Sequence, residues 1–201
     1  MTIIILTSLV AGALAGYFIV PSDFMGGVES VSMLALCILL FLVGLEIGHN
    51  RVAFKNIKLM GKKIIAVSSS VIIGSLLGGL VAGLIFDMPK NVSMAIASGF
   101  GWYSLSAVIL KQIDGAEIGT IAFMSNVLRE MLAFIIIPWI ATRLNYCASI
   151  APAGATSMDT TLLIISRSTD NETAVISFSN GLILSTLVPI LVPLMYGLPW
   201  K

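Results

Sequence analysis

Residues 151–161, Ala-Pro-Ala-Gly-Ala-Thr-Ser-Met-Asp-Thr-Thr, set one carboxylate, Asp159, among small and hydroxyl-bearing residues. Backbone interrupted in this way survives at membrane depth only inside protein or beside a water-filled cavity. An ionisable side chain there is a functional candidate by default. Asp159, with Thr160 beside it, would suit an ammonium or a proton. A helix starting near Thr156 or Ser157 would turn free N–H groups and its positive end toward the same place. That arrangement suits a carboxylate, as half-helix N-termini do in transporters. The stretch is therefore expected to be a substrate or ion site. The plainer alternative is an N-cap at a helix start.

A second concentration of charge is Arg129-Glu130, near the middle of an apolar run. Each of these side chains costs at least about 2.5 kcal/mol at the bilayer centre. Consecutive residues point about 100° apart on a helix, so the two cannot share one simple facing partner. Ser125 precedes Arg129 by four and Asn126 precedes Glu130 by four, which makes two polar stripes. Arg129 is expected to bond an acid on another helix, with Asp159 as a candidate, and Glu130 to bind substrate or a proton. Glu46 lies at the end of an apolar run with His49 three residues on, and is either interfacial or an inner gate. Trp102, Tyr103 and Ser104, in Gly-Phe-Gly-Trp-Tyr-Ser-Leu-Ser, are expected to form a pocket wall or cation–π face. Asn180 is either a further site residue or interhelical glue worth about 0.6 kcal/mol.

The elements that must carry these residues are membrane helices. Of 201 residues, 58% are hydrophobic and 10% charged, against about 25% charged in soluble domains. The expected fold is an all-α polytopic membrane protein, one transporter domain over residues 1–201. A spanning helix needs about 20 apolar residues. Segments are expected at about 2–20, 28–48, 64–86, 91–110, 118–142 and 173–198. The last is broken by Pro189 and Pro193, and a discontinuous or re-entrant helix lies near 150–166. That makes six to seven segments. Residues 87–90 read as a tight turn and 111–117 as a loop. Gly74/Gly78 and Gly79/Gly83 have the spacing that lets another helix approach closely.

Residues 49–63 hold five Lys/Arg and no acid, so the positive-inside rule makes that loop and the N-terminus cytoplasmic. Residues 2–20 read as a retained first helix, because no basic residue precedes them. Two cysteines, Cys37 and Cys147, are too few for a disulfide framework. A single histidine and no HExxH, CxxC or P-loop argue against a metal site, a cofactor and nucleotide hydrolysis. A net charge of +1 implies no nucleic-acid partner. An intramembrane enzyme is not expected, since no GxGD, HExxH or Ser/His arrangement is present.

Gly99–Ser106 (GFGWYSLS), Gly119–Glu130 (GTIAFMSNVLRE), Gly154–Leu162 (GATSMDTTL) and Val188–Pro193 together resemble the lysine exporter LysO family, as does FLVGLEIG at 41–48. The resemblance implies efflux of L-lysine across the inner membrane with acids in the transport path, and the cost of moving its charge outward adds the expectation of exchange for H⁺ or Na⁺. It also implies a longer architecture with earlier membrane segments. Either a small membrane protein supplies those segments or the chain forms a homo-oligomer. Some members carry an acid where this chain has Asn126, a departure that bears on stoichiometry and charge selectivity. A cation/proton exchanger without an organic substrate and one subunit of a heteromeric exporter are the alternatives.

Overall fold

A computed structural model describes residues 60–200, the backbone of 51–59, and scattered helical positions between 11 and 45. By its contacts the chain divides into Met1–Leu45 and Glu46–Lys201, and the second unit is the one built up below. The segment expected at 2–20, most of 28–48, and Cys37, Glu46 and His49 lie outside the described residues. Among the described residues every regular element is helical.

Helix α1, Arg51–Ile85, bends at Met60, whose backbone leaves the helical region. Its part Met60–Ile85 is long and apolar enough to cross a membrane. Isoleucines, valines and leucines such as Ile65, Ile73, Leu77 and Leu84 stand exposed on its outer face, where lipid is the natural neighbour. The inner face is stripped of side chain. A Cβ on Gly79 would lie 2.6 Å from the Ala97 Cβ and 2.9 Å from the Ser93 carbonyl, and one on Gly83 would collide with the Ser93 side chain. These two glycines let α2, Lys90–Ala97, lie directly against α1. Among the described residues Gly74 and Gly78 have no such neighbour. The spacing argument therefore finds a partner helix for one of its two pairs.

The segment expected as one helix over 91–110 is in fact two. Helix α2 stops after eight residues. The chain then turns through Phe100 (φ 48°) and Gly101 (φ 94°) before α3 begins at Tyr103. The loop expected at 111–117 is present only as a chain reversal at a single residue. Helix α3, Tyr103–Arg143, runs through this region and breaks at one residue, Gly115, with φ 90° and ψ 178°. That conformation is open essentially to glycine alone. Its arms fold back on each other: Tyr103 meets Phe123 edge-on with ring centroids 5.4 Å apart, and Gly119 is within Cβ distance of Lys111 and Ala107. A straight helix would hold residues 107 and 119 about 18 Å apart.

After α3 the chain makes two 3₁₀ turns, Ala148–Ile150 and Gly154–Met158, and a short helix α4, Leu162–Ser168. The expected discontinuity at 150–166 is present. The helical start expected near Thr156 or Ser157 is not; α4 begins later, after Thr161. Helix α5, Asn171–Tyr196, is started by the Asp170 side chain, which accepts from the Thr173 N–H at 2.8 Å. Pro189 and Pro193 do not break it. Each proline removes one N–H donor, but the inner face of this stretch is fixed by the fully buried Val188 and Val192 while Ile190, Pro193 and Leu194 stand exposed, and packing against neighbouring helices lets a membrane helix carry proline.

Two apolar clusters anchor the interrupted stretch. Ile150 packs with Ile64 of α1 and Ile176 of α5. Ala153 and Ile165 pack with Ala133 and Ile137 of α3. The backbone between these anchors is irregular, yet each end is fixed in a core.

Candidate functional site

The two interruptions meet. The amide of Ala155 donates to the carbonyl of Phe100 at 2.8 Å, and a Cβ on Gly154 (φ 63°) would collide with that same oxygen. A Cβ on Gly101 would lie 3.3 Å from the Ala153 carbonyl. Glycine is needed at both positions because backbone crosses backbone there. The unpaired N–H and C=O groups of two broken helices thus share one buried place. Each must find a partner, since an orphan there would be costly.

Two asparagines supply many of those partners. Asn126 of α3, buried, accepts from the Gly101 N–H at 2.7 Å. Its amide group donates to the Ile96 carbonyl at 3.2 Å, the Ala122 carbonyl at 2.9 Å and the Ser106 hydroxyl at 3.4 Å. Asn180 of α5 donates to the Gly154 carbonyl at 3.2 Å and the Ser157 hydroxyl at 3.0 Å, and accepts from the Ser68 hydroxyl at 2.9 Å. Ser157 and Ser177 exchange bonds, each hydroxyl donating to the other's carbonyl. Thr156 donates to the Ala153 carbonyl, and Thr161 to the Thr156 carbonyl. Asn126, Asn180, Thr156 and Ser157, all expected as site residues, therefore hold the crossing together. Gly181 lets α5 come so close that its Cβ would lie 2.5 Å from the Met158 amide.

Arg129 takes a partner the sequence reading did not foresee. Its Nε donates to the Pro152 carbonyl and one terminal nitrogen to the Ala151 carbonyl, both at 3.2 Å. The other terminal nitrogen donates to the Ser75 hydroxyl at 2.9 Å. Among the described residues none of its acceptors is a carboxylate, so in place of the expected ion pair with Asp159 the guanidinium is bound there to neutral oxygens. The physical reason is local. The carbonyls of Ala151 and Pro152 lie between two 3₁₀ turns, where buried backbone acceptors need partners from outside the segment, and the planar donor fork of arginine spans both.

Glu130, rotated away from Arg129, points to the other side of the interruption. It is 1% exposed, and its Oε1 accepts from the Thr160 hydroxyl at 2.5 Å. Its Oε2 is buried with no partner among the described residues. The Thr160 hydroxyl also lies 3.3 Å from Asp159 Oδ1, which accepts the Thr160 N–H at 2.5 Å. One hydroxyl therefore separates two carboxylates from segments 29 residues apart in the chain. Tyr103 is within electrostatic reach of both acids. Asp159 itself is exposed on a cavity of about 500 Å³ whose wall includes Leu162, Ser166 and Phe178. Trp102 and Ser104 are half-buried just after the first interruption.

On the Arg129 side, a cavity of about 550 Å³ runs between α1 and α3 past Ser75, Gly78, Ser125 and Pro152. A second, of about 320 Å³, shares Gly78, Ser125 and Arg129 with it. Ser75 and Ser68 were missed by sequence reading. The repeated Ser-Asn pair, 125–126 and 179–180, with each asparagine 25 or 26 residues after the glycine whose backbone it holds, signals the two asparagine supports but neither of these serines.

These features define a multi-pass helical membrane protein built around two interrupted helices that cross. The chain belongs to the lysine exporter LysO family, whose sequence profile matches residues 6–196. The lysine exporter LysO of Escherichia coli is 40% identical to it over 169 residues, 84% of this chain and 56% of that protein. A putative lysine exporter of Haemophilus influenzae is 31% identical over 195 residues, 97% of this chain and 98% of that protein. The chain thus spans little more than half the length of the Escherichia coli relative. No solved structure matches.

Proposed function

We propose that the chain exports L-lysine across the inner membrane in exchange for an inward cation, with Glu130 and Asp159 as the exchange site. The observation that carries this reading is the single Thr160 hydroxyl between the two carboxylates. Two carboxylates so close repel unless a proton or a cation sits with them. The lysine side-chain ammonium, with three donors, fits between them, and a cation from the other side of the membrane competes for the same oxygens. Binding of one excludes the other, which is the coupling.

The exchange has a thermodynamic reason. Moving one positive charge outward against 100 mV costs about 2.3 kcal/mol, and an inward cation offsets it. Tyr103 adds an aromatic wall near the pair. The names of the two relatives support lysine as substrate, and the crossing of interrupted helices supports a transport site.

The test is lysine counterflow in liposomes containing the purified chain. Wild type should exchange labelled lysine, and Glu130→Gln and Asp159→Asn should not, with both variants folded and inserted. A chain that exchanges cations while ignoring lysine would instead be a cation/proton exchanger. Normal counterflow by either variant would remove that residue from the mechanism.

A further inference from the structure

The basic stretch ahead of the Met60–Ile85 span has no part in the exchange site. Between residues 47 and 86 the chain holds five Lys/Arg, namely Arg51, Lys55, Lys58, Lys62 and Lys63, and no acid. From Arg51 on, its backbone is helix where the sequence led us to expect a loop. The bend at Met60 (φ −114°, ψ 18°) separates residues 51–59 from the span itself. At about 100° per residue, Arg51, Lys55 and Lys58 fall within about 60° of one another on that helix, in one stripe along its length of about 14 Å. Val52, Ala53, Phe54, Ile57 and Leu59 take the other positions around it, with Asn56 the polar residue among them.

A helix with cations on one face and apolar residues around the rest, placed at the end of a spanning segment, has the make-up of an interfacial helix. The charge says what should lie against the stripe. Of the two lysines beyond the bend, Lys63 pairs with Glu172 of α5, while Lys62, one step of four after Lys58, is exposed. A row of cations with no acid in the same stretch calls for an anionic surface. Beside a membrane span, that surface is the layer of phospholipid headgroups.

We infer that residues 51–59 are an interfacial helix whose Arg51, Lys55 and Lys58 stripe docks on anionic phospholipid headgroups. The bend at Met60 lets this helix leave the axis of the span, so its apolar positions can enter the boundary between headgroups and acyl chains. The docking gives the chain a preference for anionic over zwitterionic lipid. It involves neither carboxylate of the exchange site, and no measurement below reads lysine.

The test is binding of labelled phosphatidylglycerol to the purified full chain in neutral detergent micelles, read by scintillation proximity. Wild type should bind it in preference to phosphatidylcholine. The preference should vanish in about 1 M salt, where the screening length falls to about 3 Å. One Lys or Arg near an anionic surface strengthens binding about fivefold. Arg51→Gln, Lys55→Gln and Lys58→Gln together should therefore raise the half-saturating concentration about a hundredfold. Lys90→Gln, past the far end of the same span, removes an equal charge and should leave that concentration unchanged.

Equal binding of the two lipids overturns the docking, as does a preference that salt leaves intact or a triple variant that binds as wild type does. A loss in Lys90→Gln as large as in Lys55→Gln would make net charge the cause and overturn it too. Should the triple variant not fold, Lys55→Gln alone should cost about fivefold, and an unchanged half-saturating concentration there counts against the docking. Inorganic phosphate that binds wild type and displaces the lipid at millimolar concentration would make the stripe a soluble-anion site and overturn the assignment to lipid.

Discussion

Two interruptions of membrane helices face each other in this molecule and are loaded differently. At residues 98–102 the free backbone groups are met by neutral partners, chiefly the Asn126 amide, and Phe100 is fully buried. At residues 151–161 an amide of the same kind, Asn180, does the equivalent holding, but Arg129, Glu130 and Asp159 are added around it. The first interruption supplies an acceptor, the Phe100 carbonyl, and the second supplies Asp159 and meets Arg129 and Glu130 of α3. One side is built as a support and the other as the place where charge can change.

If that division is right, substitutions of charge should act on transport and substitutions of support should act on stability. The largest effect falls on the charged side. Glu130→Gln and Asp159→Asn should bring lysine counterflow down to liposome background while leaving the unfolding midpoint near that of wild type. A variant that loses its fold instead would show that the acids are structural and would erase the contrast.

Next come the two supports, which ought to weigh alike. Asn126→Ala and Asn180→Ala each leave several buried groups without partners, and each should cost about 2–4 kcal/mol of stability, read by denaturant or thermal unfolding. A much smaller cost for one of them would mean that the interruptions are not equivalent. Gly154→Ala should be at least as damaging, since it meets both a positive φ and the Phe100 carbonyl. Gly115→Ala shares the positive φ but has nothing within 4 Å of its Cβ, so backbone strain alone should cost about 1–3 kcal/mol. The difference between these two glycines measures what the crossing itself adds.

The same contrast explains what could be read from the chain beforehand. The second interruption was legible because Pro152, Gly154 and Asp159 stand out in an apolar sequence. The first was hidden, because Gly99 and Gly101 sit inside a run apolar enough to pass for one helix, and membrane helices tolerate glycine. Pro189 and Pro193 misled in the opposite direction, since packing of the inner face of α5, through Val188 and Val192, lets the helix continue through them. Arg129 was recognised as costly, but its partners were not, because backbone carbonyls become available only where a helix breaks, and sequence spacing does not say which ones face it. Glu130 and Asp159 were each legible as carboxylates able to hold a cation or a proton, but sequence spacing does not bring residues 29 apart together. That Thr160 would join them depended on the bend at Asp159, whose backbone is neither helical nor extended.

The smallest effect should come from the aqueous rim of α5, far from either interruption in its chemistry. There the Asp170 carboxylate is held below the usual carboxylate range by its hydrogen bonds with Thr173, and it pairs further with the field of Lys63. A carboxylate with a depressed pKa in the folded state adds stability above its unfolded value, about 3.9, and loses it as pH falls through the lower folded value. Asp170→Ala should therefore lower the unfolding midpoint slightly at pH 7, and the gap to wild type should close below about pH 4. Because the group is exposed, salt should shrink the part due to Lys63 and leave the part due to Thr173. Lysine counterflow should be unchanged in this variant, since nothing at the rim touches Thr160 or either acid. A transport defect from Asp170→Ala would mean that charge at the end of α5 reaches the exchange site, and the division between supporting and exchanging regions would have to be redrawn to include it.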